Sequence, residues 1–339
     1  MKRFLLILLC SISVFLLPNK KVNEENKMVS SIPIACSSYV VMERSTNKVL
    51  EGKDLYETRS VASISKIMTA IVAIENVNLN DVVTIPKEIN QVYGSMLYIH
   101  ENDQIPIMDL LYGLMLRSGN DAAVSIAIHV SGSIEKFVEL MNQKAQVLKM
   151  ENSLFKNPHG LDEEDGGNLS CAYDMAILHA YALNNPIYRH ITSCKKYKTY
   201  QNKNRLFNMY EYTTGGKTGF TKVAKRTLVT SAKKDDLELV IVTLNCGNDF
   251  GIHKQLYQTY FSQYTGIIIF KKGENKVDQF CVNVEKEYVM MAPSQQEKDL
   301  FLKYEIKKES KWVSVYLQDK YGYVLEEITI ELYQLPKKY

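Results

Sequence analysis

The chain carries six histidines and six cysteines, yet none of them falls at metal-ligand spacing, so metal-dependent hydrolysis of the zinc carboxypeptidase kind is not expected. Charge of one sign is equally scarce. Lys and Arg number 41 against 38 Asp and Glu, a formal net charge of +3 that is mixed along the sequence, and this argues against nucleic acid as a partner. Long apolar runs are missing as well. The longest, Phe4 to Leu17, is short for a membrane-spanning helix. Following Lys2-Arg3 and preceding the polar stretch Asn19 to Ser31, it reads as an export signal without a clean A-x-A site, which leaves both cleavage and membrane association through this N-terminal segment open. Outside the signal, Cys36, Cys171, Cys194, Cys246 and Cys281 form an odd, widely spaced set that gives no disulfide framework. Repeats and low-complexity tracts are absent, so the 339 residues are free to build a substantial core and more than one domain.

What is present is a trio of short clusters in fixed order: Ser63-Ile64-Ser65-Lys66, Ser118-Gly119-Asn120 and Lys217-Thr218-Gly219. The order matches the S-x-x-K, S-x-N, K-T-G set of acyl-transferring serine enzymes, and the combination is far more specific than any one member. Ser63 follows a hairpin-like stretch, Ser37 to Gly52, with a polar turn at Ser45-Thr46-Asn47. From Ser63 onward Ile64, Ile67, Met68, Ile71, Val72 and Ile74 recur at helical spacing, which places Ser63 in a first turn with Lys66 on the same face. Helical side chains lean toward the N-terminus, so the Lys66 amine is directed at the Ser63 hydroxyl. A serine needs such a base, and a lysine serves as one only if its ammonium form is disfavoured; a second cation, Lys217, and partial burial supply that condition.

Ser118-Gly119-Asn120 sits between two apolar helices, Met108 to Leu116 and Asp121 to Val130. It is therefore a rigidly held loop in which Ser118 relays a proton toward the leaving amine and Asn120 bonds either the substrate backbone or Lys66. Lys217-Thr218-Gly219 precedes alternating sequence, Thr227 to Ser231 and Leu237 to Leu244, joined by the charged turn Lys233 to Asp236. It should lie on or beside an edge strand along which an extended peptide aligns, with Gly219 allowing close approach and Lys217 and Thr218 receiving a carboxylate. Backbone amides of Ser63 and Phe220 are the natural oxyanion donors, and Gly215-Gly216 reads as added flexibility. His159, between Pro158 and Gly160, is assigned to a hydrogen-bonded turn rather than to catalysis.

These residues closely resemble the low-molecular-weight penicillin-binding proteins that act as serine D-alanyl-D-alanine carboxypeptidases. The likeness covers roughly residues 37 to 250 and includes Ala62 to Ala70, Leu116 to Ala123, Asn157-Pro158-His159-Gly160-Leu161, Ala172 to Ala176 and Gly216 to Thr221. It implies an α+β, transpeptidase-like domain with a five-stranded antiparallel sheet covered by helices, no cofactor, a peptidoglycan stem peptide ending in D-Ala-D-Ala as substrate, and β-lactam antibiotics as covalent inhibitors. The roles it implies are nucleophile for Ser63, base for Lys66, relay and substrate contact for Ser118 and Asn120, and carboxylate binding for Lys217 and Thr218. Ser60, Asn168 to Cys171 and Lys225 depart from the family pattern without removing a catalytic atom.

Three segments follow: residues 1–30 as signal or anchor and linker, 31–264 as the catalytic domain ending in a helix over Asn248 to Tyr264, and 265–339 as a β-rich domain with runs at Gly266 to Phe270, Val277 to Val284, Val289 to Met291, Leu302 to Ile306, Trp312 to Leu317 and Tyr323 to Leu332. Export to the cell envelope is expected. Alternatives are a β-lactamase, kept alive by the E-x-x-x-N spacing of Glu164 and Asn168, a D,D-endopeptidase, and a non-catalytic penicillin-sensing module.

Overall fold

The computed structural model describes residues 34–163, 166–295 and 299–338. The expected signal segment and Glu164 lie outside the described residues. Five strands form the central sheet: β1 (Cys36–Glu43), β2 (Val49–Lys53), β3 (Thr213–Thr221), β4 (Lys225–Lys234) and β5 (Leu237–Cys246). Their order is β2-β1-β5-β4-β3 and every pairing is antiparallel, so β3, which bears Lys217-Thr218-Gly219, is an edge.

Consecutive apolar residues in the central strands explain why helices cover both faces. Val40, Met42, Val240, Val242 and Leu244 point into one core, shared with α1 (Lys66–Asn76), α2 (Ile107–Tyr112), α3 (Asn120–Ser131), α4 (Ile134–Val147), α5 (Ala172–Ala182) and α6 (Pro186–Ser193). Their neighbours Val41, Leu239 and Ile241 point the other way, against Phe250, Leu256, Tyr257 and Phe261 of α7 (Asp249–Gln263). A strand apolar on both faces must be buried on both. Helix α1 is buried throughout Lys66 to Ile74, and so it has no polar face except the one it turns to the site.

One covalent link was not legible in the sequence. Cys36 and Cys246 face each other in the β1–β5 register and form a disulfide across 210 residues. It ties the first and last strands of the sheet at one end, restricting the unfolded chain.

Beyond α7 come β6 (Tyr264–Phe270), β7 (Gly273–Val277), β8 (Phe280–Val284), β9 (Tyr288–Pro293), β10 (Leu300–Ile306), β11 (Trp312–Asp319) and β12 (Val324–Glu331). They enclose a separate core including Phe270, Val282, Met290, Val315 and Ile330. The expected single run Val277 to Val284 is instead a hairpin. Its turn falls at Asp278-Gln279, where Asp278 takes a positive φ of 50°. The β1–β2 turn meets this region: the Ser45 hydroxyl accepts from Val289 N at 2.9 Å, and Lys48 pairs with Glu326 at 2.6 Å. Among the described residues no helix is long and apolar enough to cross a membrane.

Candidate active site

The chain reaches Ser63 through a strained turn. Ala62 has φ of +50°, costly for a residue with a Cβ, and residues Ala62–Ser65 form a 3-10 turn that runs directly into α1. This places Lys66 beneath Ser63 as the i,i+3 spacing requires, with Lys66 Nζ 3.0 Å from Ser63 Oγ. Nζ also donates to Asn120 Oδ1 at 2.7 Å and to the His159 carbonyl oxygen. Of the two roles open to Asn120, the side chain takes the contact with Lys66.

Three oxygen atoms, Ser63 Oγ, Asn120 Oδ1 and the His159 carbonyl, surround Nζ; once the amine is neutral, its two N–H groups serve the two carbonyl acceptors and its lone pair is left facing Ser63. Burial of Lys66 holds its pKa well below the ordinary lysine value, the Lys217 and Lys203 charges push the same way, and Asp121 opposes them. Lys217 is buried too; burial and then the Lys203 charge bring its pKa down to about 7. Its Nζ donates to the Thr218 carbonyl at 2.8 Å.

Ser118 follows a π-helical turn over Gly113–Arg117 and sits at φ of +66°, a left-handed position that points the chain back into the cleft before α3 begins. Its hydroxyl has no hydrogen-bond partner among the described residues, although the residue is only 4 % exposed. A cleft of about 370 Å³ joins Ser63, Ser118, Thr218, Gly219 and Phe220. Gly219 is required by space: a Cβ there would stand 2.4 Å from Thr227 Oγ1 and 3.0 Å from Ser63 N. Gly215 and Gly216, expected to add flexibility, serve packing instead. A Cβ on Gly215 would meet Thr192 at 2.5 Å, and Thr192 Oγ1 both accepts from Gly216 N (2.9 Å) and donates to its carbonyl (3.1 Å), locking α6 to the edge strand.

His159 is a turn residue. Its Nδ1 accepts from Leu161 N at 3.2 Å, and burial, followed by the Lys66 charge, lowers its pKa to about 3, so the ring is neutral. The functional atom of this residue is its backbone oxygen.

Other cleft residues escaped the sequence reading because they come from distant loops. Ser95, Lys203, Arg205, Arg226, Asp249 and Phe250 line it. Lys203 Nζ donates to Ser95 Oγ at 2.9 Å. The Ser95 loop is in turn pinned by the second motif: Asn120 N donates to the Ser95 carbonyl at 2.7 Å, and the fully buried Asp121 carboxylate accepts from Leu97 N (2.8 Å), Tyr98 N (2.9 Å) and Ala122 N (2.9 Å). The residue following the motif thus positions one wall of the cleft. Asp121→Ala strips these N–H groups of their acceptor and is expected to lower stability by about 2 kcal/mol. It should raise KM more than it lowers kcat, because the Ser63–Lys66 contact is left in place; thermal unfolding and steady-state kinetics check both, and an unchanged KM would contradict the positioning role.

Comparison with known proteins finds relatives of the chain in sequence and in fold. Residues 24–248 match the peptidase S11 family model, described as D-alanyl-D-alanine carboxypeptidase. The D-alanyl-D-alanine carboxypeptidase DacF of Bacillus subtilis is 33 % identical over 295 residues, covering 81 % of this chain and 75 % of that protein. DacB2 of Mycobacterium tuberculosis is 30 % identical, over 69 % of this chain and 82 % of its own. Among solved structures, penicillin binding protein 6B from Escherichia coli superposes with a TM-score of 0.72 at 25 % identity, over 89 % of this chain and 96 % of that one. For penicillin binding protein 5 from Haemophilus influenzae the TM-score is 0.76 at 24 % identity, over 91 % and 100 %, a likeness of fold.

Proposed function

The chain belongs to the peptidase S11 family of D-alanyl-D-alanine carboxypeptidases, and from that premise we propose how its residues carry out the reaction. The activity is serine D,D-carboxypeptidase cleavage of peptidoglycan stem peptides ending in D-Ala-D-Ala, with penicillins bound by the same site. Ser63 is the nucleophile. Neutral Lys66 takes its proton as Oγ attacks the carbonyl of the penultimate D-alanine, and the oxyanion is received by the backbone amides of Ser63 and Phe220. Ser118, whose hydroxyl has no hydrogen-bond partner among the described residues, passes the proton to the departing nitrogen; the C–N bond breaks and D-alanine leaves. Water then cleaves the Ser63 ester. Lys217 and Thr218 hold the terminal carboxylate, Gly219 lets the peptide lie against the edge strand, and Asn120 orients Lys66.

The observation that supports these assignments is the contact of the fully buried Lys66 Nζ with Ser63 Oγ at 3.0 Å, in a setting where burial disfavours the ammonium form. Penicillin should form a covalent adduct that peptide mapping locates on Ser63, while the untreated enzyme releases D-alanine from a stem-peptide mimic. An adduct on another serine overturns the assignment, and rapid turnover of the adduct favours the β-lactamase reading.

Two further parts of this reading concern location and architecture. Export to the extracytoplasmic envelope, with the N-terminal segment as signal or membrane anchor, is supported by the Cys36–Cys246 disulfide, a bond typical of oxidising compartments. Treatment of residues 265–339 as a second domain is supported by their separate core.

A further inference from the structure

The two amides assigned to the oxyanion come from different parts of the chain. Ser63 N belongs to the turn that opens α1, and Phe220 N to the end of the edge strand β3. The two segments meet at Gly219, where a Cβ would lie 3.0 Å from Ser63 N. The Ser63 turn is not a strand of the central sheet, so strand pairing does not fix its distance from β3. Oxyanion donors are effective only when held in place before the charge develops, and other contacts must therefore set that distance.

Two side chains bridge the segments. Thr227 Oγ1, on β4, donates to the Val61 carbonyl at 3.0 Å. The second bridge is the carboxylate of Asp162, which ends the turn whose His159 carbonyl accepts from Lys66. Its Oδ1 accepts from Ser60 Oγ at 3.2 Å and from Thr221 Oγ1 at 2.9 Å, and its Oδ2 accepts from Val223 N at 3.3 Å. The Thr221 hydroxyl accepts in turn from Ala224 N at 3.0 Å, which leaves its proton for Asp162. Ser60 stands three residues before Ser63 and Thr221 one residue after Phe220, so a single carboxylate spans both halves of the oxyanion site. The cleft is lined by Ser63, Gly219 and Phe220 but not by Asp162.

Ser60 is one of the positions at which the sequence departs from the family pattern, and its hydroxyl is the group that reaches Asp162. A second departure, Asn168, steadies the same turn at its other end: Oδ1 accepts from Asn157 N at 3.0 Å, and Nδ2 donates to the Asn157 carbonyl at 2.9 Å. Resting on the oxyanion assignment above, we propose that Asp162 is a positioning residue: by holding Ser60 and Thr221 on one oxygen, it sets the distance between the Ser63 and Phe220 amides and so how tightly they bind the developing oxyanion. It touches neither substrate nor reacting atoms. Its effect belongs to states with a tetrahedral carbon, because the ground-state carbonyl gains less from those donors.

The test uses the full chain, a stem-peptide mimic ending in D-Ala-D-Ala, and N-acetyl-D-boroalanine, in which a boronic acid replaces the carbonyl that Ser63 attacks. Ser63 Oγ adds to the boron, and a hydroxyl of the tetrahedral adduct takes the oxyanion position. Asp162→Ala should lower kcat about tenfold, leave KM within about twofold, and raise the Ki of the boronic acid by the same factor as kcat falls. Acylation and deacylation both pass through an oxyanion, so kcat falls whichever step limits it. Asp162→Asn keeps an oxygen for both hydroxyls and should stay within about threefold of the wild type. Thr221→Val keeps the β-branched shape without the hydroxyl; it should cost about threefold in kcat and in Ki, and nothing further in the Asp162→Ala background. Thr221→Val alone reads the role where Asp162→Ala does not fold. Unchanged kcat and Ki in Asp162→Ala, a rise in KM alone, or losses that add in full in the double variant overturn the positioning role and leave the carboxypeptidase reading intact. A wild type that neither releases D-alanine nor binds the boronic acid overturns both.

Discussion

Lys66→Met is expected to reduce acylation of Ser63, by substrate and by penicillin alike, roughly 10⁴-fold, and at the same time to make the protein harder to unfold at neutral pH. The two effects share one cause. Lys66 is fully buried with its pKa well below the ordinary lysine value, so the folded state holds an amine stripped of its proton where the unfolded chain would carry an ammonium ion. Methionine keeps the apolar stem and removes the polar end, which relieves the burial cost but leaves the Ser63 hydroxyl without a base. Ser63→Ala should abolish acylation without the stability gain. A Lys66→Met protein that lost activity together with stability would show a lysine retained for packing, and the base assignment would fall.

The pH dependence follows with a definite sign. Lys66 must be neutral to accept the Ser63 proton, so kcat/KM falls as pH drops through its depressed folded pKa. Lys217 must be protonated to hold a carboxylate; with its pKa brought to about 7, kcat/KM falls again as pH rises beyond that value, giving a bell. For stability the sign runs the other way. A lysine near 10.4 in the unfolded chain and depressed in the folded one binds more protons when unfolded, so stability rises with pH between the two values, from about 7 toward about 10 for Lys217. Denaturant midpoints across this window should climb in the wild type and less steeply in Lys66→Met.

The sequence pointed to the proposed reacting groups because each sits within a few residues of its partner or on an element with a clear period. Lys66 reaches Ser63 by helical spacing, and the apolar, β-branched run Leu237 to Leu244 reads as a strand whose burial on both faces the structure shows. Contacts made across the fold leave no such trace. Ser95 and Lys203 meet through a side-chain bond between loops 108 residues apart, and neither loop has a period of its own. The Cys36–Cys246 pair depends on strand register, which spacing along the chain does not encode. The role of Asn157 to Leu161 was partly visible, since Asn, Pro and Gly announce a turn; that the His159 carbonyl is an acceptor for the base required the turn to be seen folded over Ser63.

That folding-over makes Gly160→Ala the second severe substitution. Gly160 has φ of +80°, and a Cβ added there would lie 2.2 Å from the Ala62 carbonyl oxygen and 2.6 Å from Ser65 Oγ. The nearer obstacle is backbone, in a turn already strained at Ala62, and Ser65 Oγ is tied to that same carbonyl at 2.9 Å. One or other segment must move. If the 62–65 turn shifts, Ser63 leaves its place above Lys66; if the 157–161 turn shifts, Lys66 loses an acceptor that helps keep it uncharged. Either displacement, on the order of 1 Å, should cost about 10² in kcat/KM, and the collision should lower stability by about 3 kcal/mol. Gly132→Ala is the matched control. Gly132 has nearly the same φ, +83°, but a Cβ there meets nothing within 4 Å, so only the left-handed penalty of about 1 kcal/mol applies and kcat/KM stays at the wild-type value. Equal losses in the two variants would mean that backbone conformation alone matters at Gly160, and that the turn does not brace the nucleophile.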